Sequence, residues 1–199
     1  MSGKRHAPAA LANRDALLSA LRPFLPEAGT VLELGSGTGE HAVFLARHLP
    51  HLAVQPSDPD PEARESIAAW SGEAGLPNLR PPLNLDLGLS TWWRQRAEAV
   101  LCVNVLHLLP PGAGEALVAG AARVLPPGGP LCVYGPFRQA GVAAPPRLEA
   151  LERQLRAAGP HLSVPAAEAL ERAGRLAGLE PAARVDLGQG DLLLVLRHA

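Results

Sequence analysis

The run Glu33-Leu34-Gly35-Ser36-Gly37-Thr38-Gly39 carries the densest chemical signal in the chain. Glycine at alternate positions lets a backbone turn tightly and approach a ligand with no Cβ in the way. N–H groups left free where a helix follows favour an anion. A dinucleotide fingerprint, G-x-G-x-x-G, needs its third glycine where this chain has Glu40, whose carboxylate repels pyrophosphate. Two further acids follow. Asp58 comes 19 residues after Gly39, close to the spacing of about 20 at which dinucleotide folds place a ribose-binding acid. Asp86, with Leu87 beside it, ends the next expected strand, where an adenine would lie. Strand-end acids are also ordinary turn residues. Three in order, each at a carboxyl end, point to an adenosine-containing ligand.

The form acid-x-Gly-x-Gly-x-Gly resembles the loop of Rossmann-like S-adenosylmethionine-dependent methyltransferases. That ligand has no phosphate; its amino group and sulfonium are both positive, which gives Glu33 a use. Methyl transfer asks a protein to align a nucleophile and exclude water, with a general base only where the acceptor still holds a proton. Asn104 and His107 follow the fourth expected strand. Asn104 is expected in the cofactor pocket. His107 either orients or deprotonates the acceptor, or packs at a helix start. Tyr134 and Phe137, after the fifth strand, either wall the acceptor pocket or pack. His41, in the first turn after the glycines, is expected neutral, because an imidazolium there opposes the helix dipole, and hydrogen-bonded near the methionine end. Trp92-Trp93 reads as a lid or as a core plug. No metal site is expected: C-x-x-C and H-E-x-x-H are missing, and Pro50 separates His48 from His51. A serine nucleophile is not expected without G-x-S-x-G.

The elements that must position these groups alternate along the chain. A helix opens near Asn13 as N-cap, followed by a strand at residues 30–34, a helix at 40–49 and a strand at 52–55. Asp60-Pro61 starts the next helix, and residues 83–87 read as the third strand. Ala99–Val105, almost wholly apolar, suits a strand covered on both faces. Helix 114–125, strand 131–134, helices 147–158 and 166–176, and a hairpin of 183–187 with 192–196 complete the pattern. The expected fold is α/β, a doubly wound, mostly parallel sheet with one antiparallel strand near the C-terminus. One domain is expected over residues 1–199: an N-terminal helical extension (1–28), a cofactor-binding core (30–138), and closing helices and hairpin (139–199).

Composition agrees. A chain of 199 residues, 47% hydrophobic, suits one α/β domain burying about 70% of its unfolded surface. With 18 Lys and Arg against 19 Asp and Glu it has no basic excess for nucleic acid. No apolar run is long enough to cross a bilayer, no signal peptide is evident, and Cys102 and Cys132 read as buried reduced thiols. The expected compartment is cytoplasmic.

Leu32–Ala42 (LELGSGTGEHA), Gln55–Pro61 (QPSDPDP), Gly75–Pro82 (GLPNLRPP) and Tyr134–Phe137 (YGPF) resemble a small family of class I methyltransferase-like proteins. Its animal member is called methyltransferase-like protein 26, and its bacterial members were filed as a domain of unknown function. The resemblance implies a seven-stranded sheet and S-adenosylmethionine as cofactor, and leaves the acceptor open. Asn13, Glu33, Gly35, Gly37, His41, Asp58, Asp86, Asn104 and His107 match its motif positions; Ser36, Gly39 and Leu87 complete the expected cofactor walls. Ala12 replaces the family's usual Arg, and the segments after Phe137 differ. The expected activity is methyl transfer to a small molecule, with a protein acceptor as second choice. A non-catalytic cofactor-binding module and a nicotinamide-dependent oxidoreductase are the rivals.

Overall fold

Side chains of the segment from Val31 to Leu34 alternate between two apolar layers, as a strand buried on both faces requires. In the computed structural model, which describes residues 3–89 and 92–199 (Trp93 by its backbone alone), that segment belongs to β1, Gly29–Leu34. The remaining strands are β2 (Leu52–Ser57), β3 (Ala99–Val103), β4 (Pro130–Pro136), β5 (Leu179–Asp186) and β6 (Asp191–His198). Their order in one six-stranded sheet is β2-β1-β3-β4-β6-β5. β1 to β4 pair in parallel, and β6 pairs antiparallel with both β4 and β5. The reversed strand near the C-terminus is therefore present.

Among the described residues six α-helices complete the fold: α1 (Pro8–Leu21), α2 (Glu40–His48), α3 (Pro61–Ala74), α4 (Ala113–Val124), α5 (Pro146–Ala158) and α6 (Ala167–Leu176). On one face, α1 and α2 pack Leu17, Leu21 and Phe44 against Val31, Leu101 and Val103. On the other, α4 and α6 pack Leu117, Val124 and Leu170 against Leu32, Val100 and Cys102. Alternate β3 residues thus serve opposite layers. Burial pushes both cysteine thiols up to about 12, so they stay protonated.

Three expectations need correction. Asn13 caps nothing: α1 begins five residues earlier, with Ala7 as N-cap and Pro8 in the first turn, where proline's fixed φ suits a helix start. Residues 83–87 form no strand, and the sheet has six strands instead of seven. The chain from Asn78 to Leu83 does run along the outer edge of β2, bridging Val54 to Leu79 and Ser57 to Leu83. Pro81 and Pro82 interrupt it, because neither has an N–H for a ladder. Asp86 consequently lies in a turn, accepting from Gly88 N at 2.8 Å. Trp92 is a core plug, buried against Gly120; the side chain of Trp93 lies outside the described residues.

Candidate functional site

The sheet order reverses between β1 and β3, and the crevice beyond their carboxyl ends is where doubly wound sheets bind ligands. β1 delivers the glycine loop there and β3 delivers Asn104. Each glycine has its own task. At Gly35 (φ +69°) a Cβ would meet Val105 Cγ2 at 2.6 Å, and at Gly39 (φ +91°) it would meet the Ile67 backbone at 2.9 Å. Those two let the loop pass β3 and let α2 close on α3. Gly37 (φ +55°) has no atom within 4 Å of a Cβ and lines the cavity instead.

This first cavity, of about 410 Å³, gathers Glu33, Gly35, Ser36, Gly37, His41, Asp58, Asp86, Leu87 and Asn104. Nine of the expected cofactor residues therefore meet. Gly39 and Asn13 do not line it. Asp58, at the end of β2, holds the loop: Oδ2 accepts from Gly37 N at 2.9 Å and Oδ1 from Asp60 N at 3.0 Å. Ser36 bridges the same strand ends, its Oγ accepting from Ser57 N at 3.1 Å. Three acids and no lysine or arginine line this cavity among the described residues.

Glu33 lies on the α1/α2 side of β1 and is only 1% exposed. Burial pushes its carboxyl up to about 7; a hydrogen bond with Ser36 opposes that and Asp58 adds to it. Its Oε2 is buried with no hydrogen-bond partner. A buried carboxylate oxygen left without a donor costs stability, and it is free to accept from a cation or N–H.

His41 is pushed down to about 4, first by burial, with Glu40 opposing and Arg14 assisting. Its Nε2 lies 2.8 Å from Asn13 Oδ1. An amide oxygen only accepts, so the neutral ring donates from Nε2 and keeps its Nδ1 lone pair. The Asn13 amide in turn hydrogen-bonds the Tyr134 hydroxyl, which donates to Asp191 Oδ2 at 3.2 Å. Asp191 Oδ1 faces Arg147 Nη1 at 3.0 Å.

These last groups line a second cavity of about 520 Å³ together with His107. Asn104 and Leu108 border both cavities. Asn104 sits in the left-handed region (φ 57°), which asparagine tolerates better than most residues, and its N–H reaches Tyr134 O at 2.8 Å. His107 projects from a short turn, Leu106–Leu108. Burial lowers its pKa, with Asp191 opposing and Arg147 assisting, and among the described residues its ring makes no hydrogen bond. Burial, then the Asp191 charge, pushes Tyr134 up to about 12, so the phenol is a fixed donor and does not itself carry protons. Phe137 is buried in the α4/α6 core and lines neither cavity.

Sequence reasoning missed three groups here, Asp191, Arg147 and Ser66, and read a fourth, Glu40, only as a barrier to pyrophosphate. Asp191 and Arg147 looked like hairpin and helix-start residues. Glu40 faces inward toward the N-terminal segment, accepting from Ala7 N at 2.6 Å and Thr38 Oγ1 at 3.1 Å. Ser66 donates to Thr38 O at 2.8 Å. Nothing local marks partners dozens of residues apart. No group of three or more metal-ligating side chains gathers among the described residues.

Residues 4–198 match the family described as protein of unknown function, DUF938. The chain belongs to that family. Solved structures share its fold. An O-methyltransferase family protein from Burkholderia thailandensis superposes with a TM-score of 0.78 at 19% identity, over 96% of this chain and 60% of that one. The S-adenosylmethionine-dependent methyltransferase SibL gives 0.79 at 23%, over 96% and 55%. An O-methyltransferase family 2 protein from Planctomyces limnophilus, solved with apigenin, gives 0.75 at 19%, over 96% and 65%. This DUF938 chain thus spans a little over half the length of these methyltransferases and has their class I fold.

Proposed function

We propose that this DUF938 protein is an S-adenosylmethionine-dependent methyltransferase acting on a small molecule. One observation carries the reading. The cavity at the switch point presents a buried, partnerless Glu33 oxygen with Asp58 and Asp86, and no cationic side chain among its described lining. That donor set suits a cationic nucleoside and repels the phosphates of a nicotinamide dinucleotide. Kinship with methyltransferase-like protein 26, which the motifs suggest, belongs to the same reading.

When bound, S-adenosylmethionine supplies a methyl group activated by its sulfonium. Glu33 would hold the amino group, Asp58 the ribose hydroxyls, and Asp86 with Leu87 the adenine end. Asn104 stands between the two cavities, so the second cavity is the acceptor site. His107, kept uncharged there by burial, takes the proton that a hydroxyl or similar acceptor sheds as the methyl arrives. Asp191 stabilises the imidazolium so formed. Its volume and mixed polar walls favour a small molecule over a protein segment.

Incubation with methyl-labelled cofactor and fractionated metabolites tests this. Label should pass to a low-molecular-weight fraction, and His107→Ala should slow transfer about 10²-fold or more. Cofactor binding without transfer to any fraction would leave only a binding module. Binding of NAD in place of S-adenosylmethionine would indicate an oxidoreductase.

A further inference from the structure

The chain entering α1 runs along the rim of the first cavity: Ala7, just before the helix, and Ala9 and Ala10, in its first turn, form part of the cavity wall. Its fastenings all lie on α2, α3 and the residue that starts α3. Arg5 N donates to Ser66 Oγ at 2.8 Å, and the same hydroxyl donates to Thr38 O in the glycine loop. Ala7 N donates to Glu40 Oε2, which also holds the Thr38 hydroxyl. Trp70 Nε1 donates to Arg5 O at 3.0 Å, with the Lys4 ammonium 4.2 Å from its ring centre and His6 against its edge. Lys4 pairs with Glu73, and Arg5 Nη1 lies 3.3 Å from Asp60 Oδ2.

We propose that residues 4–10 are a strap that must lift for ligand to enter or leave the first cavity, so that its fastening sets the exchange rate. Two features support this. Ser66 and Glu40 each bond the strap and the glycine loop at once, so the ligand-cradling backbone and its cover share two side chains. The outer fastenings are also weak individually: Arg5, His6 and Asp60 are exposed, and surface pairs of this kind contribute little, which leaves the Arg5 N–Ser66, Ala7 N–Glu40 and Trp70–Arg5 O bonds as the main ties. Such a segment opens locally without unfolding the sheet. Smallness of the covering side chains, three alanines, lets it lie close over a bound molecule.

The inference rests on the cofactor reading above, and kinetics separates the two. Association and release of S-adenosylhomocysteine are measured by surface plasmon resonance for the full chain and two variants. Trp70→Phe keeps the ring and loses one hydrogen bond, and should quicken association and release together by about fivefold. Trp70→Ala, which also loses the ring under Lys4, should quicken both further. Unchanged rates in both variants overturn the strap while leaving the cofactor reading intact. Faster release with unchanged association also overturns it, because that marks a lost ligand contact and not a gate. Absence of any binding by the unaltered chain defeats the cofactor reading itself. Hydrogen exchange on the unaltered chain is independent of variant folding: the Arg5 and Ala7 amides should gain protection when S-adenosylhomocysteine is added, and equal exchange with and without it overturns the strap.

Discussion

A buried carboxyl with one oxygen lacking a donor is costly to ionise, and Glu33 is such a group. Its carboxyl is raised from 4.5 to about 7 in the fold, so folding favours its protonated form. Its contribution to stability is full below pH 4.5 and is lost as pH rises through about 7. Glu33→Gln should therefore raise Tm at pH 8, leave it nearly unchanged at pH 4, and weaken cofactor binding at pH 8, where the carboxylate is charged; scanning calorimetry at the two pH values and titration calorimetry at pH 8 check this. His41 has the opposite sign. Lowered from 6.5 to about 4, it stabilises the fold above pH 6.5, and that contribution falls away as pH drops through about 4. Imidazole NMR signals should show His41 neutral at pH 5 with the proton on Nε2. Titration of His41 near 6.5 would contradict the burial and the Asn13 bond assigned to it. Glu33, Asp58 and the glycines were legible in the sequence because each has a fixed offset from a strand end, whereas Asp86 closes a segment that forms no strand. Asn13 was legible only by motif. Its partners, His41 and Tyr134, are 28 and 121 residues away along the chain, and no local pattern predicts such a bond.

Between elements, Gly39 is a joint with no slack. It combines φ +91° with the Ile67 backbone where a Cβ would stand, so Gly39→Ala meets both backbone strain and a clash that no rotamer relieves. The expected loss is about 1–3 kcal/mol of stability, read from urea unfolding, with weaker cofactor binding because α2 and the glycine loop shift together. Wild-type stability in that variant would show that α2 and α3 can separate at no cost. The periodic apolar residues predicted the helices well, and Asp60 does cap α3, accepting from Glu62 N at 3.0 Å. The errors fall where backbone chemistry overrides side-chain pattern. Pro8 starts α1 earlier than any capping side chain would, and Pro81-Pro82 interrupts the pairing of residues 78–83 with β2 just before the segment whose leucines read as a strand.

For the molecule as a whole, the class I fold brings distant segments to one crevice: loop residues 33–41 and Asp58 from one half, Asn104 and His107 from β3's end, Asp191 from the reversed strand. Composition and alternation were enough to predict the doubly wound sheet with its one reversed strand, since each helix must cover a face. The second cavity was not predictable, because Tyr134, Arg147 and Asp191 meet only when β6 inserts beside β4. Titration calorimetry with S-adenosylmethionine, on the unaltered chain and on Asp58→Ala, tests the central claim most directly. Asp58 holds Gly37 and is the assigned ribose acceptor, and hydrogen bonds to a charged group contribute about 1.5–3 kcal/mol each. One-site binding by the unaltered chain, weakened at least tenfold in Asp58→Ala while the fold persists, is the expected result; no binding heat, or equal affinity in both proteins, would contradict it.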